Sequence, residues 1–130
     1  MRNKYQKVAK LDMNERKWES EFAVKIAGMG HQYVQQKDEG KRQFQSVPYD
    51  GILIFKPENI AVFIEIKIGN EPMKEHQIKF AQDCLELNSF HYTIRVFDYW
   101  LVAFPYNCNS GKLIANTVQK LIDKIKVEIV

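Results

Sequence analysis

Two opposite charges stand inside an apolar segment of this sequence. Glu65 and Lys67 interrupt residues 61–68, which otherwise have the composition of a buried strand. Because side chains two residues apart in a strand point to the same face, the carboxylate and the ammonium group lie together. Charges in so apolar a strand cost free energy unless they pair with each other, with water or with a metal. The segment therefore predicts either a solvated ion pair near a sheet edge or a functional site.

A second carboxylate can reach the same place. The apolar segments at residues 48–55 and 61–68 flank a polar turn at residues 56–59, which predicts a β-hairpin. Asp50 lies just before the first strand, from where it can converge on Glu65 in the neighbouring strand. Two carboxylates and a strand-borne lysine suit a hard cation and metal-assisted phosphodiester hydrolysis.

Asp50, fourteen intervening residues and then Glu65-x-Lys67 resemble the signature of the PD-(D/E)xK nuclease superfamily. One departure is Pro48, which stands two residues before Asp50 instead of directly before it. The resemblance implies that Asp50, Glu65 and the backbone carbonyl of Ile66 bind Mg²⁺ or Mn²⁺. It also implies that Lys67 acts on the attacking water or on the charge that develops on phosphorus.

Two further residues belong to the expected catalytic set. Gln77 opens a predicted helix and resembles a glutamine that many superfamily members carry after the catalytic strand; alternatively, it is a first-turn residue that faces water. On the first predicted helix, Glu19 lies about 60° from the centre of the apolar stripe and Glu21 about 100° from it. Glu19 is therefore the candidate third acid, the alternative being a solvated boundary residue.

The resemblance covers residues 19–97, and two groups of the superfamily are most similar. Residues 18–22 resemble the opening of small VRR-NUC (virus-type replication-repair nuclease) modules, and residues 75–78 and 92–94 resemble both these and RecU-type Holliday-junction resolvases. The implied function is a DNA endonuclease for branched or structured DNA in replication, recombination or repair, of phage or mobile-element type. Resolution of a symmetric junction needs two cuts, hence a homodimer.

Other functions are compatible with the same fold, and further residues are candidates for contact with DNA. The same fold can serve as a non-catalytic nucleic-acid-binding or interaction domain, while a restriction-type nuclease would need base-reading loops for which the chain has little room. Residues 37–42 are predicted to form a basic loop, either a solvated surface loop or an arm that contacts phosphates; its cationic members are Lys37, Lys41 and Arg42. The aromatic residues Tyr99, Trp100, Phe104 and Tyr106 are predicted to pack in the core and at strand ends, the alternative being a platform on which bases stack.

The elements that would position these residues follow from periodicity and breakers. Asn14 is a predicted N-cap of a helix that ends at residues 28–30, and further helices are expected at residues 73–87 and in the C-terminal stretch 113–125. A short strand or an extension of the helix is expected near Tyr33, and strands are predicted at residues 48–55, 61–68, 92–97 and 100–104. The order is typical of an α/β fold with a mixed central sheet flanked by helices, the restriction-endonuclease-like core.

Composition bounds these expectations. A chain of 130 residues with 45% hydrophobic and 27% charged residues is expected to form a single domain over residues 1–130. Its formal charge of +3 is compatible with a nucleic-acid partner. No apolar run has the length of a membrane span, and Cys84 and Cys108 have neither metal-site spacing nor the density of a secreted scaffold. A cytoplasmic protein is expected.

Overall fold

The computed structural model describes residues 14–36, 47–106 and 111–130. These residues form three helices and six strands, with three strands between each helix and the next. The helices are α1 (Glu15–Gly28), α2 (Glu75–Glu86) and α3 (Val118–Ile129). The strands are β1 (Gln32–Gln35), β2 (Gly51–Phe55), β3 (Ile60–Ile68), β4 (Phe90–Val96), β5 (Leu101–Pro105) and β6 (Leu113–Ala115).

The six strands form one mixed sheet in the order β1-β2-β3-β4-β5-β6. Only the β3–β4 pair is parallel, with Glu65 opposite Thr93 and Lys67 opposite Arg95. The other neighbouring pairs are antiparallel. A parallel pair needs a crossover, and α2 supplies it. The predicted α/β fold with a mixed, helix-flanked sheet is confirmed.

The hydrophobic core lies on the sheet face that α1 and α3 cover. Alternate residues of β3, namely Ile64, Ile66 and Ile68, join Phe22 of α1 and Leu121 of α3 in this core. The residues between them point to the opposite face, which α2 covers. Both outer helices begin at the expected kind of cap, with the side chains of Asn14 and Thr117 each accepting a backbone N–H bond at 3.1 Å.

The hairpin is as predicted. Phe55 pairs with Ile60 across the turn at residues 56–59. Asn59 has a φ of 62°, a left-handed conformation that asparagine tolerates better than most residues. Among the described helices, none is long and apolar enough to cross a membrane.

Three local predictions are wrong. Residues 113–115 are a strand and not the start of the last helix. The apolar period of α2 predicts a buried stripe, of which Ala81 and Cys84 are buried, whereas Ile78, Leu85 and Leu87 are exposed and Gln77 is buried in their place. Among the aromatics expected in the core, the exposed ones are Tyr99, Trp100 and Phe104.

Candidate active site

Glu65 and Lys67 lie in the interior of the protein. β3 has a neighbour on each side, and the two residues are only 1% and 3% exposed. Their charged groups are 3.7 Å apart, measured from Lys67 Nζ to Glu65 Oε2. This burial rules out a solvated ion pair at a sheet edge, because neither group faces bulk water.

Asp50 joins them at the point where β2 leaves β3. The strand ladder ends at the Gly51–Ile64 pair, and the Asp50 N–H donates to the Ile64 carbonyl at 2.8 Å. One position further, the Asp50 carboxylate takes the place of the missing strand, because its Oδ2 accepts from the Ile66 N–H at 2.6 Å. The N–H and C=O of a residue in a strand point to the same side, so the Ile66 carbonyl also faces the side of Asp50.

Gln77 lies against the buried carboxylate. Its Nε2 donates to Glu65 Oε2 at 3.0 Å, and its Oε1 accepts from the Lys74 N–H at the start of α2 at 2.8 Å. The side chain is 9% exposed. The alternative of a residue facing water therefore does not hold, since both ends of the amide are bonded inside the protein.

Glu19 reaches the same region from α1. It is 7% exposed, and its Oε2 accepts from the Tyr33 hydroxyl at 2.5 Å. Gly51 makes this contact possible, because a Cβ atom there would overlap the ring of Tyr33. Glu21 is exposed to solvent. Of the two acids, Glu19 is therefore the one that points toward the sheet, as the helical wheel predicts.

The carboxylates share an unfavourable environment. Burial raises the pKa of Asp50, although the Ile66 N–H bond opposes the shift. Burial, and next the charge of Asp50, raise the pKa of Glu65 to about 9, while Lys67 lowers it. The two carboxyl groups interact directly, and Glu65 Oε1 is buried with no donor directed to it among the described residues. Either a proton or a cation would relieve this arrangement.

Sequence reasoning missed Glu15. This half-buried residue is in the first turn of α1, one turn before Glu19. Burial raises its pKa to about 7, and the charges of Asp50 and Glu71 contribute, whereas Lys67 acts in the opposite direction. The signal in the sequence was the four-residue spacing of Glu15 and Glu19, which places them on the same helix face.

Arg95 was missed as well. It lies beside Lys67 on the neighbouring strand, and the same terminal nitrogen donates to the Gly69 carbonyl at 3.1 Å and to the Glu71 carbonyl at 2.6 Å. These bonds fix the loop that follows β3. Its signal was weak, because an arginine in an alternating strand is usually a surface residue.

Two expectations, the metal site and the DNA contacts, stay predictions. The described residues contain no group of three or more His, Cys, Asp or Glu side chains placed so that it could hold a metal ion. The residues expected to contact nucleic acid, Lys37, Lys41 and Arg42, lie outside the part of the chain that the structure describes.

Comparison with known proteins bears on the fold. No protein-family model matches the sequence, and no curated protein matches it either. The structure is similar to that of Hjc, a Holliday junction resolvase from the archaeal hyperthermophile Archaeoglobus fulgidus, with a TM-score of 0.55. The two sequences are 13% identical, and the match covers 85% of this chain and 98% of that chain. At this identity the similarity is one of fold.

Proposed function

We propose that this chain is a metal-dependent DNA endonuclease of the PD-(D/E)xK type that hydrolyses phosphodiester bonds in branched or structured DNA. The observation that carries the proposal is the buried convergence of Asp50, Glu65 and Lys67 where β2 separates from β3. Buried charges of this kind rarely persist for stability alone. Similarity in fold to a Holliday junction resolvase supports branched DNA as the substrate.

The donors available suit Mg²⁺ or Mn²⁺. Asp50 and Glu65 would hold the ion through carboxylate oxygens, and the Ile66 carbonyl, on the same side, would be a third oxygen ligand. The fit rests on Glu65 Oε1, which is buried and receives no hydrogen bond from the described residues, and on the desolvation of both carboxyl groups. When bound, such an ion polarises the phosphate and lowers the pKa of a coordinated water.

The neighbouring side chains have separate tasks in this proposal. Lys67, 3.7 Å from Glu65, brings a positive charge to the scissile phosphate, where it orients the attacking water or stabilises charge on phosphorus. Gln77 occupies Glu65 Oε2 and so directs Oε1 toward the cation. Glu19, oriented by Tyr33, acts from the α1 side as a base for water or as an outer ligand.

DNA and a second subunit complete the proposal. Lys37, Lys41 and Arg42 would contact phosphates beyond the cut, and their attraction weakens with salt. A resolvase must cut two strands symmetrically, so the working form would be a homodimer with one site per subunit. The pathway is replication, recombination or repair, and a VRR-NUC or RecU-type enzyme is the more specific version of the proposal.

A cleavage assay tests it. Four-way junctions, flaps, linear duplex and single strands are incubated with the protein in Mg²⁺, in Mn²⁺ and in chelator, with Lys67→Ala as the inactive control. We expect divalent-dependent cuts in branched DNA that the variant does not make. Branched DNA that is bound but never cut with any divalent ion would refute the enzyme and leave a non-catalytic binding domain.

A further inference from the structure

A groove of about 890 Å³ lies on the α1 and α3 side of the sheet. This size is within the range of small-molecule sites. Its walls come from α1, from the turn between β4 and β5, and from the start of α3. The lining residues that matter here are Trp18, Lys25, Tyr99, Trp100, Asn116 and Gln119.

Aromatic rings dominate the accessible wall. Tyr99 is 56% exposed and Trp100 is 44% exposed, although both are in a turn between two well-packed strands. Trp18 is held in place by stacking on Phe22, with ring centroids 5.1 Å apart and an interplanar angle of 19°. Large exposed rings around a concavity are typical of a binding surface, because an aromatic ring that serves only the fold is usually buried.

The groove opens at the end of the sheet at which β3 ends, on the face opposite to Glu65 and Lys67. Trp18 directly precedes Glu19 on α1. On the sheet side, the Gly69 N–H donates to the Val96 carbonyl at 2.7 Å. This bond joins the end of β3 to the last residue of β4, after which the turn with Tyr99 and Trp100 begins. An unpaired strand that passes from the site around the end of β3 would therefore reach the groove.

We propose that this groove binds unpaired nucleotides of the DNA substrate, with bases stacked on the ring of Trp100. Flat aromatic walls favour planar ligands. The amides of Asn116 and Gln119 can form hydrogen bonds with the polar edges of bases, whereas an aliphatic ligand has no groups for such bonds. Lys25 and Asp98 both line the groove, so its charge is balanced and recognition rests on stacking and on the amides. The inference rests on the proposed function, since branched DNA supplies unpaired bases at its branch point.

Intrinsic fluorescence gives a direct assay. The chain has two tryptophans, Trp18 and Trp100, and both line the groove. A thymidylate oligomer about 12 nucleotides long, within the usual range of single-strand sites, is titrated into the full chain in chelator. Stacking should quench the tryptophan emission along the same isotherm as the anisotropy of the labelled oligomer. An abasic oligomer of equal length should bind more weakly and leave the emission unchanged.

Matched variants locate the contact. Trp100→Ala should weaken binding of the oligomer roughly ten-fold to a hundred-fold, the usual effect of removing one stacking ring, whereas Trp100→Phe should keep most of the affinity. The control is Phe104→Ala, which removes an exposed ring from the other face of β5 and should bind like the wild type. Circular dichroism verifies that all three variants are folded. Unquenched emission at saturation, or equal losses in Trp100→Ala and Phe104→Ala, would overturn the groove.

Failure of the groove and failure of the enzyme can be told apart. A wild type that cuts branched DNA without tryptophan quenching by the oligomer retains its nuclease function and refutes the groove. A wild type that cuts nothing but shows quenching sensitive to Trp100→Ala supports the groove and refutes the nuclease. Lys67→Ala should keep the full quenching signal, because Lys67 lies on the opposite face of the sheet from the groove.

Discussion

Raising the pH of the metal-free protein from 7 to 9 should destabilise it, because Glu65 holds a proton in the folded state. Its side chain is 1% exposed, and burial together with the charge of Asp50 raises its pKa from 4.5 to about 9. In the unfolded chain the same carboxyl group ionises near 4.5. Between these values the folded state binds more protons than the unfolded state, so stability falls as pH rises.

The size of the effect follows from the two pKa values. The contribution of Glu65 is complete below its unfolded pKa and is lost as the pH passes through the folded pKa. Between pH 7 and 9 the loss amounts to about 2 kcal/mol. For a chain of this length that corresponds to a fall in Tm on the order of 5–10 °C.

The chosen window isolates this carboxyl group. His91, whose pKa burial lowers to about 4, changes its charge only at lower pH, where it would destabilise the fold as pH falls. The pKa of Glu15, about 7, lies at the lower limit of the window. Burial raises the pKa of Cys84 to about 11, above the window. Glu65 therefore dominates the slope between pH 7 and 9.

Thermal unfolding in chelator across pH 7–9 measures the slope. Glu65→Gln, which is neutral at every pH, should remove most of it, whereas Glu21→Gln, at an exposed position, should leave it intact. At pH 9, Mg²⁺ should recover Tm in the wild type, since the ion binds the carboxylate form. A Tm independent of pH in the wild type, or the same fall in Glu65→Gln, would refute the account of a protonated buried carboxyl group.

Three further outcomes are expected. Lys67→Ala should cut branched DNA slower by a factor on the order of 10² or more while its affinity for DNA, measured by anisotropy, stays close to that of the wild type. Glu19→Gln should reduce the single-turnover cleavage rate far more than Glu21→Gln, and the reverse ranking would show that Glu21 is the acid. Gly51→Ala should displace the ring of Tyr33 and lower both Tm and cleavage; unchanged values of both would show that the ring has room to shift.

The hairpin and the burial of Glu19 could be predicted because each has a local cause. Two apolar segments around a polar turn define the pairing of β2 with β3, and the periodicity of α1 selects Glu19 over Glu21. The charges of Glu65 and Lys67 in an apolar strand also stood out, since their cost is visible from composition alone. What the sequence left open was whether these charges faced water, which depends on the strands at either side.

The orientation of α2 could be derived from its own residues only in part. Ala81 and Cys84 of the predicted stripe are buried, but the helix turns Gln77 inward, where the buried Glu65 needs a donor. The exposed members of the stripe are Ile78, Leu85 and Leu87. The hydrogen bond of Gln77 to Glu65 thus outweighed the hydrophobicity of the exposed residues of α2. Arg95 was missed for a related reason, because its bonds to the loop after β3 depend on the parallel β3–β4 register and not on its sequence neighbours.

The bond from the Ile66 N–H to Asp50 has a practical consequence for making an inactive protein. Removal of the Asp50 side chain would erase a candidate ligand and also orphan a backbone donor inside the fold, so lost activity and lost folding would be confounded. Asparagine separates them, since its amide oxygen can still accept from Ile66 while the negative charge is gone. Asp50→Asn is therefore the substitution with which to trap an uncut junction on an intact protein for structure determination.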